Sequence, residues 1–339
     1  MKKLLPWLCI IPFGCAALAG CEGGLFSSGS NQDPISIAYS STPGHYPLIL
    51  GKEKGFFKEQ GITIEAEFNK DYINQINEFR SGKYDGIVVA LGSVLSILTT
   101  TPDVQIILVI NISQGRDAIL ARHNIQEVED LKGKVLGTRL GDFGELLVQE
   151  MLKKHNVPLD SVKIVNINAE DLVEKLNKGV IDAGQTWHPY TVQAANYGYH
   201  VLFDSTETPG LITEVLVMRR SVIRERPEEL KALLRGWLKS REYSLENSDE
   251  VRNIIATSLG IDEEYLFDED AVTFEGIELP TLERNLEIMS PGKTTDSLHF
   301  TTQLYTEFFA INGTINAPPD LDTLINPHLL KSLQEDENL

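Results

Sequence analysis

Cysteine is one of the rarest side chains in this sequence, and its placement indicates the first chemistry. The cysteines are Cys9, Cys15 and Cys21, and Cys21 directly follows Leu18-Ala19-Gly20. Small residues at the end of an apolar stretch mark a cleavage point in exported proteins. A thiol at that point is placed to be acylated and to become the new N-terminus. The spacing therefore predicts a lipid attached to Cys21.

Residues 1–20 have the composition of an export signal. A basic start, Lys2-Lys3, precedes an apolar stretch from Leu4 to Ala19, which is the order of charge and hydrophobicity that directs secretion. A transmembrane helix is the alternative, but Pro12 and Gly14 interrupt the stretch, and a span needs about 20 apolar residues. Together with Cys21, the segment matches the lipobox of bacterial lipoproteins. It predicts a protein of the periplasm or cell envelope that is anchored to a membrane by lipid.

The composition after Cys21 excludes several classes of protein. No further cysteine follows, so disulfides, thiolate metal sites and a cysteine nucleophile are excluded from the folded part. Residues 21–33 are rich in glycine and polar residues, which predicts a flexible tether with folding beginning near Pro34. The formal net charge is −19. Such a surface repels nucleic acid, so we exclude nucleic-acid binding.

The chain after Pro34 alternates between strand and helix patterns. Ile35–Tyr39 and residues 62–68 alternate apolar and polar side chains as strands do, and a helical pattern from Tyr46 to Gln60 separates them. Apolar strands follow at residues 86–90 and 104–110, and the alternation restarts at Lys134. This order predicts an α/β fold of two lobes, each a mainly parallel sheet flanked by helices, with a ligand cleft between them.

One short unit occurs in both halves. Phe79–Gly86 and Leu176–Ala183 each contain a helix end, a glycine, two residues, an aspartate and a small residue before a strand. The glycine suits the left-handed end of a helix, and we expect Asp85 and Asp182 to act in turns or caps rather than in catalysis. A chance likeness of two turns is the alternative. After Met218 the pattern is helical, and a leucine stripe predicts a buried Trp237.

Several stretches, taken in order, resemble a known family. The chain is similar to the periplasmic solute-binding proteins of the nitrate, sulfonate, taurine and thiamine-precursor ABC importers, which have the type II periplasmic-binding-protein fold. The stretches that carry the resemblance are residues 41–48, 52–57, 82–90, 179–190 and 226–237. No single stretch is specific, but their order and spacing together are.

The resemblance implies two lobes that close on a ligand like a hinge. Crossings near residues 113–117 and 218–221 would give one lobe of residues 34–115 plus 219–339 and another of residues 116–218. The resemblance also implies a monomer without catalytic residues, metal or cofactor, which delivers a small solute to an inner-membrane ABC permease. Two alternatives stay open, namely a ligand sensor that docks to a signalling receptor and a pyrimidine-precursor synthase-like enzyme.

Ligands of open parallel sheets bind beyond the carboxyl ends of the strands, and this rule selects five loops. Helices that start in these loops add free backbone N–H groups. His45 and His188 lack a third ligand for a metal. The candidate ligand-binding residues are Ser41, Thr42, His45, Tyr46, Asp71, Gly92, Ser93, Gly141, Asp142, Phe143, Trp187, His188 and Tyr190.

The chemistry of these residues departs from that of a bare anion site. The family resemblance implies a small polar organic or anionic solute. Asp142, however, lies where an anion needs neutral donors, and Tyr46, Phe143, Trp187 and Tyr190 supply aromatic surface. This mixture favours a flat heteroaromatic or a cationic amine. The alternative for Asp142 is that it only caps its helix.

Overall fold

Two β-sheets organise the described part of the chain. The computed structural model describes residues 33–40, 42–260, 274–311, 313–315 and 317–337. Its strands are β1 (Ile35–Tyr39), β2 (Ile64–Phe68), β3 (Gly86–Ala90), β4 (Val104–Ser113), β5 (Asp117–Ala121), β6 (Val135–Thr138), β7 (Lys163–Asn166), β8 (Ala183–Trp187), β9 (His200–Asp204), β10 (Thr213–Arg219) and β11 (Ile277–Glu278). The predictions for the export signal, Cys21, the tether before Asp33 and Ser41 lie outside the described residues.

The helices lie between and after these strands. In chain order they are α1 (Tyr46–Glu53), α2 (Phe56–Glu59), α3 (Tyr72–Ser81), α4 (Leu91–Leu98), α5 (Phe143–Lys154), α6 (Leu172–Asn177), α7 (Tyr190–Asn196), α8 (Arg220–Glu225), α9 (Pro227–Glu246), α10 (Ser248–Leu259), α11 (Leu282–Ile288), α12 (Leu298–Ile311), α13 (Leu321–Leu324) and α14 (His328–Glu337). Within the described ranges, none of them combines the length and apolarity that a membrane span requires.

The two sheets arrange their strands in the same way, except that the first sheet has one additional edge strand, β11. The first has the order β11-β4-β10-β3-β1-β2, and the second has the order β7-β6-β8-β5-β9. β1 is parallel to β2 and β3, as β6 is parallel to β7 and β8. One strand in each sheet, β10 or β5, is antiparallel to both of its neighbours. The predicted α/β fold with two sheets is confirmed, and the antiparallel strand makes each sheet mixed.

The unit that occurs twice in the sequence has the same structure in both sheets. Gly82 and Gly179 end their helical segments with φ values of 94° and 71°, a conformation that favours glycine. Asp85 then precedes β3 and Asp182 precedes β8. Each aspartate donates its backbone N–H to a carbonyl at the start of the neighbouring strand, β1 or β6. The structural repeat therefore places both aspartates away from the carboxyl ends of the strands, as predicted.

Within the residues that the structure describes, the chain passes between the sheets at two places. The first passage joins Ser113 at the end of β4 to Asp117 at the start of β5. The sequence places the second near residues 218–221, whereas β10 already pairs with β3 and β4 from Thr213 onward. The second passage therefore lies between Asp204 and Thr213. An apolar strand pattern gives no indication of which sheet the strand joins, and this explains the error.

The helices after β10 pack on elements of the first sheet. α9 packs against α1 and α2, and α14 packs against α9 and β4. Trp237, on the apolar stripe of α9, is only 3% exposed and belongs to the core. The helical pattern from Tyr46 to Gln60 forms two helices rather than one, because Gly55 between them has a φ of 79°, which interrupts a right-handed helix.

Candidate functional site

Glu214 is the carboxylate on which side chains of the first sheet converge. Its Oε2 accepts hydrogen bonds from Thr42 Oγ1 at 3.0 Å and from Asn111 Nδ2 at 2.9 Å. The same oxygen lies 3.2 Å from Nε2 of His45. In register, Glu214 lies beside Ala90 at the end of β3. Because β10 is antiparallel, its first residues lie at the carboxyl edge of the parallel strands, where ligands bind.

The two oxygens of the Glu214 carboxylate have different surroundings. All three contacts reach Oε2, and the described residues supply no donor to Oε1. Burial raises the pKa of Glu214, but the charge of His45 and the hydrogen bonds outweigh burial, so the pKa is lowered overall. The side chain keeps 15% of its surface exposed. The result is an ionised carboxylate with one oxygen fixed and the other available to a ligand.

His45 and Thr42, both predicted as ligand residues, orient Glu214. The His45 side chain is fully buried, and its Nδ1 lies 2.7 Å from the carbonyl oxygen of Ser40. The backbone N–H of Ser40 also lies 3.3 Å from the same Nδ1. The contact between Nε2 and the Glu214 carboxylate is shielded from solvent on the side of the imidazole.

Tyr72 forms a second polar cluster at the same edge of the sheet. Its hydroxyl accepts the N–H of Ala90 at 3.1 Å and forms a 2.9 Å hydrogen bond with Oγ of Ser93. Burial raises the pKa of Tyr72, the two hydrogen bonds oppose this rise, and the charges of Glu214 and Asp142 add to it. The predicted residue Ser93 therefore holds a neutral phenol that faces carboxylates from both sheets.

Two acidic residues of the second sheet, Asp117 and Asp142, act electrostatically together with Glu214. Asp117, the first residue of β5, is 6% exposed, and Asp142 directly precedes α5. Burial raises the pKa of Asp117 to about 7, against a hydrogen bond with Ser113 and the charge of Arg116, and the charges of Glu214 and Asp142 raise it further. Repulsion of this kind weakens with distance because salt screens it. Glu214, Asp117 and Asp142 are here called the cleft carboxylates.

Asp142 both caps a helix and belongs to the cleft carboxylates. Its Oδ1 accepts the N–H of Phe143 at 2.7 Å, and its Oδ2 lies 3.6 Å from Nε of Arg139. Burial raises the pKa of Asp142, while the hydrogen bond and Arg139 oppose that rise. The capping alternative is thus correct for one oxygen. The charge of Asp142 nevertheless acts on Tyr72 and Asp117.

Three rings from the second sheet line the site beside the carboxylates. The ring centroids of Phe143 and Trp187 are 5.8 Å apart, and those of Trp187 and Tyr190 are 6.4 Å apart. Trp187 is half-buried at the end of β8 and pairs in register with Asp117. Phe143, Trp187 and Tyr190, here called the aromatic wall, are three of the predicted site residues. The structure places one of them, Trp187, beside the acidic residue Asp117.

Three further predicted residues have local structural contacts. Asp71 is exposed, and its carboxylate accepts the first backbone N–H groups of α3. Gly92 lies against the ring of Tyr305, which a Cβ at this position would approach to 3.0 Å. Gly141 is exposed with a φ of 73°, and its N–H donates to Glu145. None of these three offers a side-chain group to the cleft carboxylates.

Tyr46 and His188 lie near the first passage between the sheets. Tyr46 is 3% exposed and packs edge-on against Phe274, with ring centroids 6.1 Å apart. Burial raises the pKa of Tyr46 to about 12, against the charge of Arg116. The N–H of His188 donates to the carbonyl of Arg116 at 3.0 Å. Tyr46 is therefore mainly a packing residue, and His188 connects the aromatic wall to the passage.

Glu214 and Asp117 are absent from the predicted site residues for one shared reason. The predicted residues lie in loops after parallel strands, whereas Glu214 and Asp117 lie at the starts of antiparallel strands, which reach the carboxyl edge of their parallel neighbours. Each is a lone acid at the start of an otherwise apolar strand, Thr213–Met218 or Asp117–Ala121. An acid in that position is costly to bury unless a partner or ligand compensates for it, and this pattern could have identified both.

The comparisons with known proteins agree with this architecture. The family model described as NMT1/THI5 like matches residues 42–251. A formylaminopyrimidine-binding protein of Halalkalibacterium halodurans is 23% identical over 253 residues, covering 71% of this chain and 75% of its own. A 4-amino-5-hydroxymethyl-2-methylpyrimidine phosphate synthase of Aspergillus parasiticus is 27% identical over 148 residues, which are 43% of each chain.

A solved structure gives the same fold at low sequence identity. The crystal structure of the periplasmic aliphatic sulphonate binding protein SsuA from Escherichia coli matches with a TM-score of 0.70 and 15% identity, covering 87% of this chain and 92% of its own. The likeness extends over both sheets and shows a periplasmic-binding-protein fold. Since the family model matches more than half of the sequence, the chain belongs to the NMT1/THI5-like family.

Proposed function

We propose that this chain is the extracytoplasmic, lipid-anchored solute-binding component of an ABC importer, and that its solute is a small heteroaromatic or organic cation with N–H donors. The observation that carries the proposal is the free Oε1 of Glu214, whose second oxygen is already held by three contacts. A fixed acceptor that lacks a donor from the described residues is complementary to an N–H group of a ligand.

The charges around the site favour a cation over an anion. Of the cleft carboxylates, Glu214 is compensated by His45, and Asp142 lies near Arg139, whose side chain is about half exposed. The adjacent Arg116 acts on Asp117 as an opposing charge, and a guanidinium nitrogen of Arg116 also donates to the carbonyl of Glu275 at 3.1 Å. A sulfonate or nitrate would add negative charge to this space, whereas a cation would relieve the repulsion.

The aromatic wall supports a flat ligand. A cationic ring can lie against the face of Trp187, which is the most favourable of the aromatic side chains for cation–π contact. An N–H on the edge of the same ring is the kind of donor that Oε1 of Glu214 accepts. Two relatives have an aminopyrimidine in their names, and this ring class fits the wall and the acceptor together. A bare inorganic anion uses neither feature.

Delivery of the solute to a permease is the role that the relatives suggest. The chain has no cysteine after Cys21 that could act as a nucleophile, which fits binding of the ligand without its chemical conversion. Two alternatives lead to different observations. A sensor would have a signalling receptor gene beside its own, whereas an importer component would have permease and ATPase genes. An enzyme of the pyrimidine-phosphate class would convert its ligand during long incubation, which mass spectrometry of the recovered ligand detects.

A pair of nearly isosteric probes tests the ligand class. 4-Amino-1-methylpyridinium is a permanent cation with an amino group, and 4-methylaniline is its neutral counterpart at pH 7.5. We expect the cation to raise the unfolding temperature and to bind in calorimetry, with the neutral probe at least tenfold weaker because it lacks the charge. Taurine and nitrate serve as anionic probes in the same assay.

Two variants separate the site from the rest of the surface. Glu214→Gln keeps the shape and removes the charge, so it is expected to weaken binding of the cation by about 10- to 100-fold. Glu287→Gln, at a side chain that is 67% exposed, is the control and should bind like the unaltered protein. Tighter binding of taurine than of the cation, or equal binding to both Glu variants, would contradict the proposal.

A further inference from the structure

The hydroxyl groups of Tyr72 and Ser93 leave one hydrogen without an acceptor at the edge of the first sheet. The phenol oxygen of Tyr72 accepts the N–H of Ala90 at 3.1 Å and lies 2.9 Å from Oγ of Ser93. The pair carries two hydroxyl hydrogens, and only one of them can occupy the bond between the two oxygens. Since the described residues supply no further acceptor to either hydroxyl, the second hydrogen is a donor without a partner in that part of the chain.

The chemistry of the two hydroxyls places the spare hydrogen on Ser93. A phenol is more acidic than an alcohol, so Tyr72 is the stronger donor and the alcohol oxygen of Ser93 is the better acceptor. The phenol oxygen is already occupied by the N–H of Ala90, which leaves its own hydrogen for Ser93. Oγ of Ser93 is then held as an acceptor on the side of the phenol, and its hydrogen points away from that ring.

Ser93 lies at the carboxyl edge of the sheet, where ligands of this kind of fold bind. β3 ends at Ala90, and Ser93 lies in the first turn of α4, which starts directly after Ala90. Ala90 is also the register partner of Glu214 on β10, and the described residues supply no donor to Oε1 of Glu214. The side chains of Tyr72 and Ser93 are partly exposed rather than enclosed in the core. A donor and an acceptor that both lack partners therefore flank the same backbone position.

We propose that Ser93 determines specificity by donating a hydrogen bond to an acceptor atom of the ligand, and that Tyr72 positions the Ser93 hydroxyl for this bond. The inference rests on the proposed function and extends it. Glu214 selects for a charged group with an N–H, whereas Ser93 selects for a ring nitrogen or a carbonyl oxygen on the same ligand. A site that hydrogen-bonds a polar atom of its ligand rejects an analogue that lacks this atom, because the group of the site is then left unpaired.

Two cations that differ in one ring atom test for the acceptor. 4-Amino-1-methylpyrimidinium has a ring nitrogen beside its amino group, where 4-amino-1-methylpyridinium has a C–H, and the two are matched in size and net charge. We expect the unaltered chain to bind the pyrimidinium about tenfold or more tightly in calorimetry at pH 7.5, because only this probe accepts the hydrogen of Ser93. The comparison uses the unaltered chain, so it does not depend on whether a variant folds.

Variants at the two hydroxyls assign this preference to its residues. The ring nitrogen also makes the amino group a stronger donor to Glu214, and Ser93→Ala separates the two effects. This variant should reduce the preference for the pyrimidinium to about twofold or less and change the affinity for the pyridinium little. Tyr72→Phe keeps the serine hydroxyl but no longer orients it, so its preference should lie between those of Ser93→Ala and the unaltered chain.

The preference is a ratio of two affinities, so a partial loss of folded protein does not change it. A merely structural role of Tyr72 or Ser93 would therefore leave the ratio unaltered. Tyr197→Phe removes a hydroxyl from a ring that is 61% exposed. It is the matched control for Tyr72→Phe and should keep the full preference.

The outcomes distinguish this inference from the proposed function. Equal affinity of the unaltered chain for the two cations overturns the inference and leaves the proposed function intact. A preference that Ser93→Ala retains in full overturns the assignment to Ser93, and one that Tyr72→Phe retains in full overturns the positioning role of Tyr72. Failure of both cations to bind, with taurine or nitrate binding instead, overturns the inference and the proposed function together.

Discussion

Nε2 of His45 lies 3.2 Å from Oε2 of Glu214, and the imidazole is fully buried. The pair joins the loop after β1 to the first residues of β10, so it connects the N-terminal strand to the strand that enters from the second passage. A buried carboxylate is costly without a counter-charge. The same contact that fixes the ligand acceptor therefore also contributes to the stability of the first sheet.

Removing the imidazole leaves the Glu214 carboxylate without its charged partner. We expect His45→Gln to lower the free energy of unfolding by about 3–5 kcal/mol, the range for breaking a buried ion pair from one side. Urea denaturation at pH 7 measures this. His328→Gln, at an exposed histidine, is the control and should change stability little.

A double variant tests whether the cost comes from the pair. His45→Gln combined with Glu214→Gln removes both charges, so its loss of stability should be clearly smaller than the sum of the two single losses. Additive losses would mean that the two side chains stabilise the sheet independently, which contradicts an ion pair between them.

The stability of the ligand-free protein should carry a signature of Asp117. Its pKa is raised from 3.8 to about 7 on folding. Between these values the unfolded chain loses the proton and the folded chain keeps it, so rising pH lowers the free energy of unfolding, and the effect levels off above pH 7. Relative to Asp117→Asn, the unaltered chain should lose on the order of 2–4 kcal/mol between pH 4 and pH 8. Denaturation curves of both proteins across this range measure the difference, and parallel pH profiles would contradict it.

Local patterns in the sequence predict which helices and strands form more reliably than they predict which of these elements contact each other. The strand patterns at Ile35–Tyr39 and Gly86–Ala90 match the observed strands, and Trp237 is in the core as its leucine stripe predicts. These results depend on alternation and helical periodicity, which are properties of neighbouring residues. The second passage is misplaced because pairing of β10 with β3 and β4 is a long-range property.

The candidate site is predicted in part for the same reason. Phe143 and Trp187 lie at the ends of elements that the sequence identifies, and the structure brings them within 5.8 Å. Glu214 reaches the same cleft from an antiparallel strand, so a rule about parallel strands misses it. The sequence does identify His45, the partner of Glu214, but as a residue that binds the ligand. Its burial against Glu214 depends on packing, which a local sequence pattern does not reveal.

The structural repeat predicts matched effects at two distant residues. Oδ2 of Asp85 accepts the N–H and the hydroxyl of Ser36 at 2.9 and 3.0 Å. Oδ2 of Asp182 accepts the N–H of Val135 at 3.0 Å, and the described residues supply no hydroxyl donor to it. Alanine at either position leaves a strand N–H without its acceptor, at a cost of about 1–3 kcal/mol. We expect Asp85→Ala to be the more destabilising in thermal unfolding, with Asp322→Ala as the neutral control. A larger loss of stability for Asp182→Ala would contradict the explanation that the number of lost hydrogen bonds determines the effect.

The proposed lipid anchor depends on one thiol. Cys21→Ala should abolish metabolic labelling with palmitate and move the protein from the detergent phase to the aqueous phase, because no other residue of the lipobox can carry the lipid. Cys15→Ala is the matched control, since this thiol lies inside the proposed export signal, and it should label normally. Labelling that survives Cys21→Ala would overturn the lipoprotein assignment.

Trp187 should report ligand binding and contribute to it. The other tryptophans are Trp7 and Trp237, so a chain with Trp7→Phe and Trp237→Phe has fluorescence from Trp187 alone. As 4-amino-1-methylpyridinium displaces water from the half-buried ring, the emission of Trp187 should change, and its wavelength should shift to the blue.

In the chain that is otherwise unaltered, Trp187→Ala should weaken binding by about 1–3 kcal/mol, the scale of a lost aromatic anchor, with little loss of stability. Tyr197→Ala, at a ring that is 61% exposed outside the aromatic wall, is the matched control and should bind normally. If Trp187→Ala instead destabilises the fold and leaves the affinity of the folded fraction unchanged, the ring is a packing residue and the ligand lies elsewhere.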